Sequence, residues 1–204
     1  MDKILVFGDS IAYGKWDSQG GWVARLRSFI DTSRNLNKGG NVQLFNLGIP
    51  GEIIPRLSER FDKELTMRTF PGEKNLVIIA CGINDSCPNN WMSNRQTDLE
   101  EFKAAYEKII TIARDHHCEI VTIGLAPVNI EKSKGTLFTN EEVKKYDHII
   151  YDISSNNDVP VLQFFDELLQ SNFADTLVDA VHPNDMGHEI LFTKIKDFLG
   201  SRLL

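Results

Sequence analysis

Ser10 closes the tripeptide Gly8-Asp9-Ser10, directly after the apolar run of residues 3–7. A serine hydroxyl is a poor nucleophile until a neighbouring base takes its proton. Near the other end of the chain, Asp179-Ala180-Val181-His182 supplies such a base together with an acid. A carboxylate three residues before a histidine can curl back to the Nδ1 side of the ring. That leaves Nε2 to accept the serine proton. Two more elements complement this pair. In Gly82-Ile83-Asn84-Asp85, the Asn84 amide can donate to a developing oxyanion. In Asn46-Leu47-Gly48-Ile49-Pro50-Gly51, the missing Cβ of Gly48 lets a backbone N–H approach a ligand closely.

Each element also has a structural reading of its own. Ser10 alone is an N-cap candidate, Asn84 a turn residue and Gly48 a strand exit, and His182 before Pro183 is an ordinary surface or capping histidine. The functional reading rests on the combination, in complementary roles, at one predicted sheet edge, since all four elements follow strands or sit in the last long loop. Asp9 and Asp85 read as acids that fix their turns by accepting from backbone N–H groups. Trp16, Trp91 and Met92 lie in loops near these motifs, either lining a pocket or packing. His116-His117 beside Cys118 reads as a helix C-terminus, and His188 as a packed or solvated helix residue. Lys132-Ser133-Lys134 reads as a solvated loop.

The elements that must position these residues alternate regularly. Apolar runs at residues 3–7, 42–47, 75–81, 119–124 and 159–164 read as strands, the third apolar throughout, as for a strand covered on both faces. Helical periodicity falls at 21–33, 52–67 (Pro55 in the first turn), 99–115, 139–154 and 185–203. Thr139 with Glu142 three residues on reads as a capping box. Five strand–helix alternations predict a parallel sheet with helices on both faces. The longer irregular pieces are 85–97, 126–138 and 166–182. In such folds ligands bind beyond the carboxyl ends of the strands.

The 204-residue length suits a single domain spanning 1–204, and the composition, 42% hydrophobic and 25% charged, is that of a globular protein. A net charge of -7 argues against a nucleic-acid partner or an anionic membrane surface. No run reaches the ~18 apolar residues of a membrane span. Met1-Asp2-Lys3 leads into only four apolar residues, too few for a secretory signal, so the chain reads as cytoplasmic. Three irregularly spaced cysteines do not make a disulfide framework or a zinc ribbon. No glycine-rich phosphate-binding motif is present, so no cofactor is expected.

Gly8-Asp9-Ser10, Gly48, Gly82-x-Asn84-Asp85 and Asp179-x-x-His182-Pro183 together resemble the SGNH hydrolase superfamily, the GDSL esterases and lipases. The motifs stand in the family's order across residues 8–188. The resemblance implies a flavodoxin-like three-layer α/β/α sandwich with a five-stranded parallel sheet, in agreement with the strand–helix reading. It implies Ser10 as nucleophile, His182 as base, Asp179 as its partner, and an oxyanion hole of Ser10 N–H, Gly48 N–H and the Asn84 side chain. It also implies a small-molecule ester substrate, with no metal. The Gly-x-Ser-x-Gly pattern of α/β-hydrolases fails, because position 12 is alanine. Pro50 stands where the family often has serine. Two rival readings are a metal-dependent phosphoesterase built on Asp9, Asp85, Asp179 and His182, and a non-catalytic binding protein that keeps the fold.

Overall fold

A computed structural model of the chain describes residues 1–89, 93–133 and 138–203. Trp91 and Met92, together with Asn90 and Lys134, lie outside the described residues.

Five strands form one parallel sheet: β1 (Lys3–Gly8), β2 (Gln43–Gly48), β3 (Asn75–Ala80), β4 (Glu119–Ile123) and β5 (Val161–Leu162), in the order β2-β1-β3-β4-β5. This is the flavodoxin-like order. Strand alternation splits the apolar residues between the two faces. Leu5, Phe7, Val77, Ile79 and Ile120 pack under α3 (Ile54–Arg68), α4 (Leu99–Asp115) and α5 (Asn140–Asn156). Ile4, Val6, Leu76, Ile78, Val121 and Ile123 pack under α2 (Gly21–Ile30) and α7 (Asp185–Leu199). Burying each such side chain stabilises the fold by about 1.5–3 kcal/mol. Among the described residues, no helix is long and apolar enough to cross a membrane.

The helices begin where side chains satisfy their first N–H groups. Asp98 accepts from Glu100 and Glu101 at α4. Thr139 accepts from the N–H of Glu142 at α5, and Asn184 from Gly187 at α7. The expected capping box at Thr139 is half made, because the Glu142 carboxylate pairs with Lys145 and Gln96 instead.

Several boundaries differ from the sequence expectation. The fifth strand keeps only Val161–Leu162 of residues 159–164. Pro160 has no N–H to give, and this edge strand meets β4 through the carbonyls of Pro160 and Leu162. Phe164 already caps α6 (Phe165–Gln170), so the supposedly irregular 166–182 contains that helix and a 3-10 segment, Asn172–Thr176. α3 starts at Ile54, since Ile53 is extended and Pro55 sits in the first turn. α2 ends at Ile30 and continues as a π-helical segment, Asp31–Leu36. The last helix stops at Leu199, where Gly200 takes a positive φ of 44°.

The order of connection places the site. The chain leaves β1 for β2 on one side and then crosses to β3 on the other. Loops after β1 and β3 therefore diverge and leave a crevice between them. Ser10 follows β1, and Asn84 follows β3. Gly8 lets the segment after β1 sit close to β3. A Cβ there would lie 2.4 Å from the Ala12 Cβ and 2.6 Å from the Ala80 oxygen.

Candidate active site

Asp9, not Ser10, caps α1 (Ser10–Tyr13). Its Oδ1 accepts from the Ile11 N–H at 2.8 Å, and its carbonyl accepts from Tyr13 N–H at 2.9 Å. Relieved of capping, the Ser10 hydroxyl reaches His182, with Oγ 2.8 Å from Nε2. Ser10 is only 4% exposed, with the imidazole lying against it. The Asp9 carboxyl is fully buried. Burial raises its pKa to about 6, against the opposing effects of the Ile11 N–H and nearby His182. An acid raised in this way withdraws stability as pH climbs from its unfolded value of about 3.9 through about 6.

Asp179 and His182 share a turn closed by an antiparallel bridge between Leu177 and Pro183 and by the Val178 N–H on the His182 carbonyl, 2.8 Å. Asp179 Oδ1 accepts from the N–H groups of Val181 (3.0 Å) and His182 (2.9 Å). The ring nitrogen Nδ1 stands 2.7 Å from Oδ2 and 2.9 Å from Oδ1. With Nδ1–H donating there, Nε2 is the acceptor facing Ser10. Burial by itself would raise the Asp179 pKa. The hydrogen bonds from the His182 ring and the two backbone N–H groups outweigh it and hold the carboxyl well below the ordinary range. Its contribution to stability is present above the unfolded pKa and is lost only as pH falls through the depressed folded value.

Asn84 opens a 3-10 turn, Asn84–Ser86, and its Nδ2 donates to the Glu52 carbonyl at 3.1 Å. The neighbouring Asp85 accepts from Ile54 N–H at 3.1 and 3.2 Å, tying the start of α3 to the turn after β3. Gly48 lies against α1, where a Cβ would meet Tyr13 N at 2.6 Å. Its N–H donates to Asn46 Oδ1 at 3.0 Å, while Asn46 Nδ2 holds the Ala12 carbonyl at 2.8 Å. Asn46 had no expected role beyond its place in the motif around Gly48. An asparagine two residues before a glycine at a strand exit is the pattern of a side chain that caps a turn.

The structure brings Ser10, His182 and Asp179 into one hydrogen-bonded chain and sets Gly48 beside α1. The acids of the phosphoesterase reading are otherwise engaged: Asp9 caps α1, and Asp85 caps the start of α3. Among the described residues, no three His, Cys, Asp or Glu side chains gather as a metal site would require. His116 pairs with Asp62, 2.8 Å, at the end of α4. His188 is fully buried, accepting from Trp22 N–H at 3.3 Å and meeting the Lys15 carbonyl at 3.4 Å. Lys132, expected in a solvated loop, donates to the Leu177 carbonyl beside the Asp179 turn. Trp16 donates from Nε1 to Asp179 Oδ2 at 3.2 Å, a contact that residue type and spacing did not disclose.

A family model described as the GDSL-like lipase/acylhydrolase family matches residues 6–190, a span that holds all of these groups. The chain belongs to the GDSL-like lipase/acylhydrolase family. As a member of that family it is a carboxylic ester hydrolase. Solved structures share the family fold. The acetyl xylan esterase AlAXEase is 20% identical, with 96% of this chain and 98% of that chain covered at a TM-score of 0.76. An acetylxylan esterase from Geobacillus stearothermophilus is 18% identical, with 100% and 96% covered at 0.77. A lipolytic protein of the G-D-S-L family from Veillonella parvula DSM 2008 is 20% identical, with 97% of each chain covered at 0.71. A search of curated protein sequences returned no significant match. At these identities the likeness to solved structures is one of fold, and the GDSL-like assignment rests on the family model.

Proposed function

We propose that this GDSL-like hydrolase cleaves a short-chain, most simply an acetyl, carboxylic ester through a Ser10–His182–Asp179 triad. One domain spanning residues 1–204 carries the reaction. The supporting observation is the 2.8 Å contact between Ser10 Oγ and His182 Nε2, with Nδ1 of the same ring on Asp179. Ser10 Oγ attacks the acyl carbon as Nε2 takes its proton. Asp179 stabilises the imidazolium and fixes its tautomer. The carbonyl oxygen, now negative, is held by the N–H groups of Ser10 and Gly48 and by Asn84 Nδ2. Nε2 then passes the proton to the leaving alcohol, and the acyl group remains on Ser10. Water attacks this ester with His182 again as base, releasing the acid and restoring the serine.

Two donors of this oxyanion hole have ground-state partners. Gly48 N–H serves Asn46, so an oxyanion shares or exchanges that bond. Asn84 Nδ2 commits one hydrogen to Glu52, and the reading assigns the second on the same nitrogen to the oxyanion. The test of the triad is labelling of the wild-type protein with a serine-directed fluorophosphonate and mapping of the modified peptide. The label is expected on Ser10. A label elsewhere, or none, removes the reading.

The preference for a short acyl group rests on the polar residues Asn89, Ser93 and Asn94 in the loop after Asn84 and on the acetylxylan esterases among proteins of similar fold. With p-nitrophenyl esters, kcat/KM for acetate and butyrate is expected to exceed that for palmitate. A palmitate preference would point to an extended acyl groove. Asp179→Asn is expected to lower kcat, though less than His182→Ala, since the amide favours the wrong imidazole tautomer while the ring survives. Wild-type kcat in Asp179→Asn would take the acid out of the catalytic set.

A further inference from the structure

Trp16 sits in the loop between α1 and α2 with φ +68°, a left-handed conformation that bulky residues rarely adopt. Such backbone persists where the surroundings over-determine it, and it concentrates at functional sites. Its neighbours are pinned on both sides. Lys15 N–H donates to the Ser10 carbonyl at 3.0 Å, and the Lys15 carbonyl meets His188 Nε2. Asp17 pairs with Arg25 and accepts from Gly21 N–H, while Arg25 Nε reaches Glu189 at 2.9 Å. Ser18 N–H donates to Asp185 at 2.9 Å. The first turn of α7 thus straps down the loop that leaves the nucleophile.

The strap leaves Trp16 57% exposed, so burial of the ring does not account for its placement. What the side chain does engage is specific. Its single donor, Nε1–H, meets Asp179 Oδ2 at 3.2 Å. That same oxygen is 2.7 Å from His182 Nδ1, while Oδ1 is held by two backbone N–H groups. Both carboxylate oxygens are therefore anchored, and the indole supplies the anchor that comes from the nucleophile's own loop.

We propose that Trp16 is a positioning residue for ester hydrolysis: its indole N–H fixes Asp179 Oδ2 and draws part of the carboxylate charge away from His182. The assignment rests on the Ser10–His182–Asp179 reading. Loss of the donor leaves more negative charge facing the imidazolium, which favours the protonated ring and moves the acid limb of kcat/KM to higher pH. The other charged groups around this pair are Asp9 after β1, facing His182, Lys15, whose Nζ is 5.2 Å from the Trp16 ring centroid, and Lys132 on the Leu177 carbonyl. Trp16→Phe keeps a ring beneath Lys15 and leaves the residues Asp9 and Lys132 untouched.

Trp16→Phe keeps an aromatic ring and removes the donor. It is expected to lower kcat by about three- to tenfold, the size of one ordinary net hydrogen bond, with KM little changed and the acid limb displaced upward. Trp16→Gln, which restores a donor without the ring, should return the limb toward its wild-type position. An unmoved limb with wild-type kcat in Trp16→Phe overturns the proposal, and so does a change confined to KM, which would make the indole a pocket wall. A measurement on the wild-type protein covers the case of a variant that does not fold. One of the three tryptophan indole N–H resonances should titrate with the midpoint of the activity limb, and pH-independence of all three overturns the assignment. Fluorophosphonate mapping separates the two levels. Labelling at a residue other than Ser10 removes both readings, whereas labelling at Ser10 with an unmoved limb in Trp16→Phe removes the role of Trp16 alone.

Discussion

Ser10→Ala is expected to lower kcat/KM for p-nitrophenyl acetate by roughly 10⁴–10⁶-fold and to abolish fluorophosphonate labelling, while exhaustive chelation leaves the wild-type rate unchanged. The magnitude is that of removing a nucleophile from a serine–histidine–acid unit, where the residual rate comes from the oxyanion donors and binding alone. The variant should fold. The turn is capped by Asp9 through Ile11 N–H, and the Ser10 side chain makes no hydrogen bond to the backbone of its own helix. Melting temperature and circular dichroism check this. Measuring both arms matters, because a metal-bound hydroxide and a serine–histidine pair give similar pH limbs. Activity that survives Ser10→Ala, disappears with chelator and returns with a divalent cation would overturn the serine mechanism and favour phosphoesterase-type chemistry.

Asn84→Ala is the second large effect, with kcat falling by about 10²–10³-fold and KM nearly unchanged. A donor that acts on charge present only in the transition state changes kcat rather than substrate binding. The same substitution removes the bond from Nδ2 to the Glu52 carbonyl, leaving that buried acceptor only the weak Cys81 thiol donor at 3.6 Å. Stability should therefore fall as well, by about 1–3 kcal/mol. The two effects separate in one experiment on short-chain esters combined with thermal unfolding. A variant with full kcat and a lowered melting temperature would make Asn84 a turn residue only.

The parts of the fold that the sequence disclosed are those where one physical signal dominates. β1 and β3 are apolar on both faces because both faces are covered, and α4 carries Phe102, Tyr106, Ile109, Ile110 and Ala113 at helical spacing, all buried. The fifth strand was overestimated because Pro160 and Phe164 are as apolar as a strand requires. Only the missing N–H of the proline and the helix that Phe164 caps shorten it. The 3-10 and helical segments within 166–182 escaped notice because they are shorter than the window in which periodicity can be read. Ser10, Gly48 and Asn84 were legible as candidate residue types after strands, and Asp179 and His182 as candidates in the last long loop, in an order that resembles one family. Asn46 and Trp16 were not. Their contacts run to Gly48 and Asp179, and the second of these depends on a left-handed backbone that no residue type at position 16 announces.

The separation of Ser10 and His182 by 172 residues has a consequence for the chain during its synthesis. The strands that seat Ser10 pair within the first 80 residues, since β1 lies between β2 and β3. The turn carrying the serine can therefore be shaped early, from contacts of modest sequence separation. His182, its proposed base, arrives last. The contacts of Trp16 with Asp179 and of Ser18 with Asp185 are nearly as distant, separated by 163 and 167 residues. On the proposed triad, Ser10 is an ordinary alcohol until translation has passed position 182. The same short segment delivers Asp179, His182 and the start of α7 that holds the loop after Ser10, so hydrolysis through the proposed triad would switch on in one late step.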